Sequence, residues 1–184
     1  LVGIFAAAMS SVSSALSALA SVSVMDLGLG KSAKADGEGQ WLLLLDKLET
    51  SFKGRELVVT SGTEKITLTD ILVGEVWVCG GQSIMEWSLR ASRDSDLEVA
   101  SADFPHIRFI RLPLIARPTA QEDFPVTDET NSQGNWRQAI PEQVENCTAV
   151  GYYFAHRSSR RLKVPVGLID VAWGGTMAQH WVLN

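Results

Sequence analysis

One stretch constrains the fold more than any other. From Val73 the chain reads Val-Gly-Glu-Val-Trp-Val-Cys-Gly-Gly-Gln-Ser-Ile-Met-Glu-Trp, ending at Trp87. Val76 to Cys79 is an apolar run of the kind that forms a strand buried on both faces. Gly80 and Gly81 stop it, and a helix is expected to open near Met85. A strand that ends in Gly-Gly and turns into a helix holds the next side chain, here Ser83, at the carboxyl edge of a sheet. Open α/β folds place their ligands at that edge, where backbone N–H groups can face a developing oxyanion. Ser83 has two readings there, nucleophile or helix N-cap. Spacing alone favours the cap, because Gly-Gly-x-Ser is not the G-x-S-x-G elbow.

The rest of the pattern is consistent with an α/β chain. Leu42 to Leu45, Arg55 to Thr60 and Lys65 to Thr69 read as strands, with a Ser61-Gly62-Thr63 turn between the last two. Ile66 and Leu68 alternate with Lys65, Thr67 and Thr69, so one face of that strand is expected to be wet. Asp94 to Asp103 has helical potential, and Ile107 to Leu112 reads as a strand. Pro113 to Pro141 has no long periodic run, and loops of that length often border sites. Thr148 to Leu162 predicts an amphipathic helix with Val150, Tyr153, Phe154 and Leu162 on one side. The strand Val164 to Ala172 and the pair Gly174-Gly175 follow, completing a helix–strand–glycine-turn unit.

With 184 residues, 46% hydrophobic and 20% charged, the chain has material for one domain of ordinary size. A net charge of −5 gives no nucleic-acid footprint. The basic run Arg157, Arg160, Arg161 and Lys163 is expected to complement a helix C-terminus. Two cysteines, Cys79 and Cys147, make neither a disulfide scaffold nor a zinc site, and both are expected to be reduced and buried. Asn146-Cys147-Thr148 is formally a glycosylation sequon and more simply a helix start. Residues 1–24 carry no charge and have a signal-like character, with a small-x-small Ala18-Leu19-Ala20 but no basic start. Their serines make them too polar for a membrane span. Gly30-Lys31-Ser32 is not a P-loop: Met25 stands where the first glycine should be, and a turn replaces the required helix.

Glu75 to Trp87 resembles the first block of the sialate O-acetylesterase family, GEVW-x-CSGQSNMEW. Val164 to Thr176, with Trp181, resembles its VPVGLI…WGGT…W block, and Asn135-Trp136 with Pro141-Glu142 fits its W…PE pattern. The similarity runs from about Ala33 to Trp181. It implies an α/β fold of the SGNH-hydrolase type: a parallel sheet flanked by helices and preceded by a small β-rich module. Residues 1–24 then form a divergent or signal-like segment, 25–70 the β-module, and 71–184 the N-terminal part of the esterase domain.

The function implied is removal of O-acetyl groups from sialic acid or a related sugar. Ser83 would be the nucleophile. Its own N–H and one from Gly174 or Gly175 would donate to the oxyanion, and Gln82 would orient the turn. No cofactor or metal is implied. The partner is an O-acetylated carbohydrate, and the family setting is secreted, periplasmic or lysosomal.

Two substitutions depart from the family: Ile84 stands for Asn, and Gly80 for Ser. The family's later blocks, which carry an Asn donor, an Asp and a His, have no counterpart among these residues. The expectation is therefore of a chain truncated at its C-terminus, lacking late strands and poorly stable alone. His106, His156, His180 and Asp170 are expected to be surface or packing residues and not substitutes for the base. An acetylxylan esterase of the same type is one alternative. A non-catalytic glycan-binding or scaffold protein on the same fold is another.

Overall fold

The structure is a computed structural model, and it describes residues 2–5, 21–24, 31–34, 36, 45, 47–119 and 134–181. Its strands are β1 (Val2–Phe5), β2 (Ser21–Val24), β3 (Lys31–Lys34), β4 (Ser51–Ser61), β5 (Glu64–Cys79), β6 (Phe104–Arg111), β7 (Trp136–Ala139) and β8 (Val166–Asp170). Its α-helices are α1 (Ser83–Glu86), α2 (Ser95–Ser101) and α3 (Ala149–Leu162). The strands form one sheet in the order β3-β2-β4-β5-β8-β6-β7, with β1 also on β5.

That sheet is mixed: the expected parallel part lies beside antiparallel strands. Only β5, β8 and β6 run parallel; β2, β3 and β4 join antiparallel on one side and β7 on the other. The β4–β5 hairpin turns at Gly62 (φ +57°), in the left-handed region that glycine adopts without a Cβ clash. Ile66 and Leu68 do point inward while Lys65, Thr67 and Thr69 are exposed. Strand β5 runs unbroken across the boundary expected at residue 70, so the β-module and the parallel sheet share a strand. Asp70 (φ +58°) marks the join. Buried Arg108 of β6 donates to its carboxylate at 2.7 Å and to its carbonyl at 2.6 Å. Two of the sequence features fall elsewhere: Leu42 to Leu44 and residues 25–30 lie outside the described residues. Lys31 and Ser32, where the sequence rules out a P-loop, lie in a strand.

Helix α3 begins and ends where its sequence says it should. The Thr148 hydroxyl accepts from the Gly151 N–H at 3.3 Å, an N-cap bond. Lys163 closes the other end in the left-handed conformation. The face it buries is not the expected one. Val150, Tyr153, Phe154 and Leu162 are exposed, and Ala149, Gly151, Tyr152, Ala155 and Ser159 are buried. Small residues bring the helix backbone close to the sheet: a Cβ on Gly151 would lie 2.9 Å from Cys79 Sγ and 3.2 Å from Leu168 Cδ1.

The main core lies between this helix and the parallel strands, with Ile107, Phe109, Val166, Leu168, Tyr152, Leu89 and Ala102 among its members. Leu72, Ile110 and Trp136 form a second cluster, so Trp136 packs the core. The expectation that Val76 to Cys79 is buried on both faces is also corrected. Cys79 is 5% exposed, but Trp77 and Val78 are 45% and 66% exposed. Phe154 covers Trp77 only edge-on. Both cysteines are free and buried. No helix among the described residues is long and apolar enough to cross a membrane.

Candidate active site

Register sets the site. In the parallel trio, Cys79 pairs with Asp170, and Asp170 with Arg111, so the three strands end level. Beyond that edge the chain after β8 stays laced to the chain after β5. Val171 N–H donates to the Cys79 carbonyl at 3.1 Å, and Trp173 N–H to the Gly81 carbonyl at 2.9 Å. Gly81 turns at φ +147°, a backbone that L side chains rarely adopt. One helical turn follows, closed by Glu86 N–H to the Gln82 carbonyl at 3.0 Å.

Ser83 opens that turn and is exposed. It does not serve as a capping side chain. Gln82 occupies the N-cap position, and no side chain there bonds to the helix N-terminus. The Ser83 hydroxyl instead donates to Gln82 Oε1 at 3.3 Å. The helix itself starts two residues before the point expected at Met85.

The Gly174-Gly175 turn comes to the same place. A Cβ on Gly174 would lie 3.5 Å from Ser83 Oγ and 2.6 Å from Glu86 Oε2, so a side chain there would displace the Glu86 carboxylate. Gly175 turns at φ +78°. The residues Ser83, Gln82, Gly174 and Gly175, far apart in sequence, are thus neighbours at one sheet edge.

Two further residues complete the cluster, and reading the sequence gave neither a role. The Gly174 N–H donates to Glu86 Oε2 at 2.6 Å. Glu86 Oε1 lies 3.4 Å from Arg111 Nη2, and Arg111 Nε lies 3.9 Å from Asp170 Oδ2. The signal for Glu86 was available: three residues after Ser83 on a helical turn places both on one side. Arg111 shows only through strand register. Asp170 is buried, accepts the Ala172 N–H at 3.2 Å, and has its carboxyl pushed up to about 6. Burial is the main cause, opposed by the Ala172 hydrogen bond and Arg111 and assisted by the negative charge of Glu86.

The histidines do not join this cluster. His106 sits near the start of β6, five residues from the Arg111 end, or about 16 Å along a strand. It packs edge-on against Phe52. His156 lies against Phe104 and Tyr152. Burial lowers the pKa of both. His180 follows the glycine turn, but its Nδ1 accepts the Met177 N–H at 2.9 Å. Among the described residues no His, Asp or Glu hydrogen-bonds Ser83, and no group of three or more His, Cys, Asp or Glu is placed to hold a metal ion.

No family model matches the chain. It is 27% identical over 155 residues to human sialate O-acetylesterase, covering 82% of this chain and 29% of that protein. The mouse sialate O-acetylesterase is 26% identical over 145 residues, 77% of this chain and 27% of that one. The chain therefore spans less than a third of the length of these relatives. A solved carbohydrate acetylesterase from Xanthomonas citri superposes with a TM-score of 0.80 at 31% identity, over 88% of this chain and 35% of that one. The chain is thus similar over most of its length to sialate O-acetylesterases in sequence and to a carbohydrate acetylesterase in its SGNH-like α/β fold.

Proposed function

We propose that the chain carries the serine side of a carbohydrate acetylesterase site, acting on O-acetylated sialic acid or a related sugar. The observation that carries this reading is the exposed Ser83 hydroxyl, free of a capping role, with the Gly174-Gly175 turn packed against it. Ser83 Oγ attacks the acetyl carbonyl carbon and gives up its proton, and the carbonyl oxygen becomes an oxyanion. Collapse re-forms the carbonyl and breaks the bond to the sugar oxygen, which leaves as a hydroxyl carrying the proton that Ser83 gave up. Water then attacks the acetyl-enzyme, one of its protons returns to Ser83 Oγ, and acetate and the second proton leave. Backbone N–H groups of Ser83 and Gly175 would donate to the developing charge; losing one such donor typically costs about 3–4 kcal/mol of barrier.

A non-catalytic glycan-binding role is the second reading. Two observations favour it: Ile84 beside the serine is 79% exposed, and no described base reaches Ser83. A serine without a base is a poor nucleophile. A fluorophosphonate probe, with the labelled residue located by mass spectrometry, separates the two. Label on Ser83 that disappears in Ser83→Ala is the result expected of the esterase. A folded chain that takes no label leaves the binding role.

A further inference from the structure

The Gly174 amide is already occupied. Its N–H points at the Glu86 carboxylate at 2.6 Å, a short charge-assisted bond, so it is not available to an oxyanion. The Gly175 N–H has no acceptor among the described residues. Gly175 follows the pinned amide in the chain and turns at φ +78°, in the loop whose Gly174 borders Ser83. Resting on the esterase reading, we propose that Glu86 is a positioning residue. Its carboxylate clamps the Gly174-Gly175 turn beside Ser83 and reserves the Gly175 N–H for the acetyl oxygen of the substrate.

Three features of the site support the clamp. Glu86 sits on the same helical turn as Ser83, so one short element carries both the attacking oxygen and the group that holds the opposite loop. Its second oxygen faces Arg111 at 3.4 Å, which fixes the carboxylate and offsets its charge near the place where an oxyanion forms. The carboxylate seats directly on the glycine: a Cβ at position 174 would lie 2.6 Å from the Glu86 oxygen and would push it off the turn. Trp173 N–H to the Gly81 carbonyl ties the loop one residue earlier, so Glu86 supplies the last hold before Gly175.

The test compares the 184-residue chain with Glu86→Ala and Glu86→Gln. Two quantities are read: the Gly174 amide resonance in 15N-glycine-labelled protein, and kcat and KM for an O-acetylated sugar. Glu86→Ala should move the Gly174 amide proton upfield and speed its exchange. It should lower kcat about 10–100-fold, less than loss of a donor itself, with KM changed by less than about threefold. Glu86→Gln keeps an acceptor oxygen and should fall between, and it carries the test if the alanine variant does not fold.

A Gly174 amide unmoved in the variants overturns the clamp, whatever the activity. So does a moved amide with kcat within about twofold of the unmodified chain. A moved amide in a chain whose unmodified form cleaves no acetyl ester supports the clamp as geometry and sinks the esterase reading.

Discussion

Asp170 is the residue whose chemistry depends most on where the fold puts it. It ends β8 with 3% of its surface exposed, and burial raises its carboxyl from 3.8 to about 6. The folded state therefore favours the neutral acid more than the unfolded chain does. That contribution to stability is fully present below about pH 4 and is lost as pH rises through about 6. Asparagine keeps an oxygen for the Ala172 N–H and carries no charge. Asp170→Asn is expected to be more stable than the original chain at pH 7 by about 1–3 kcal/mol, with the difference closing near pH 4. Urea midpoints measured at pH 4, 5, 6 and 7 check this; a difference that does not change with pH would count against it. Sequence alone gave Asp170 no more than a packing role, because its partner Arg111 is 59 positions away in number and adjacent only through strand register.

At the scale of elements, α3 shows why a periodic pattern can be located correctly and faced wrongly. Thr148 and Lys163 fix its ends through local backbone chemistry, which a sequence exposes. The buried face depends on how near the helix can come to the sheet, and there Gly151 and Ala155 outweigh Phe154 and Tyr153. Gly151→Ala tests this. Helix propensity alone would stabilise by about 1 kcal/mol. The new Cβ, however, would lie 2.6 Å from Thr148 Cγ2 and 2.9 Å from Cys79 Sγ, both in buried residues. Overpacking of that kind costs about 1–3 kcal/mol, so a net loss of up to about 2 kcal/mol is expected. Chemical denaturation decides it, and a stabilised variant would mean that the helix is not seated on β5 and β8. The same logic explains Trp77 and Val78: their run looks like a strand covered on both faces, but cover comes from neighbouring elements, not from the strand's own residues.

The whole molecule is held unevenly. One cluster joins α3 to β5, β6 and β8, and a smaller one of Leu68 and Ile71 lies under the β4–β5 hairpin. Amides of Ile107, Phe109 and Leu168 should exchange at least about tenfold more slowly than those of Ile66 and Leu68, because opening the hairpin exposes less apolar surface. Native-state hydrogen exchange reads this directly, and uniform protection would show that the sheet opens as one unit. Asp70 and Arg108 stand between the two regions, their ion pair joining β5 to β6 where β5 passes from one to the other.

The sequence by itself determined the strand–Gly-Gly–Ser turn, the ends of α3, the β4–β5 hairpin, the Gly174-Gly175 turn and the resemblance to carbohydrate esterases. Each is written in a short run of residues whose backbone preferences are local. Only the tertiary structure decided which face of α3 is buried, that the sheet is mixed, and that Glu86, Arg111 and Asp170 meet beside Ser83. Those outcomes depend on strand register and on close approach between distant segments, and a linear pattern of residue types carries neither distance.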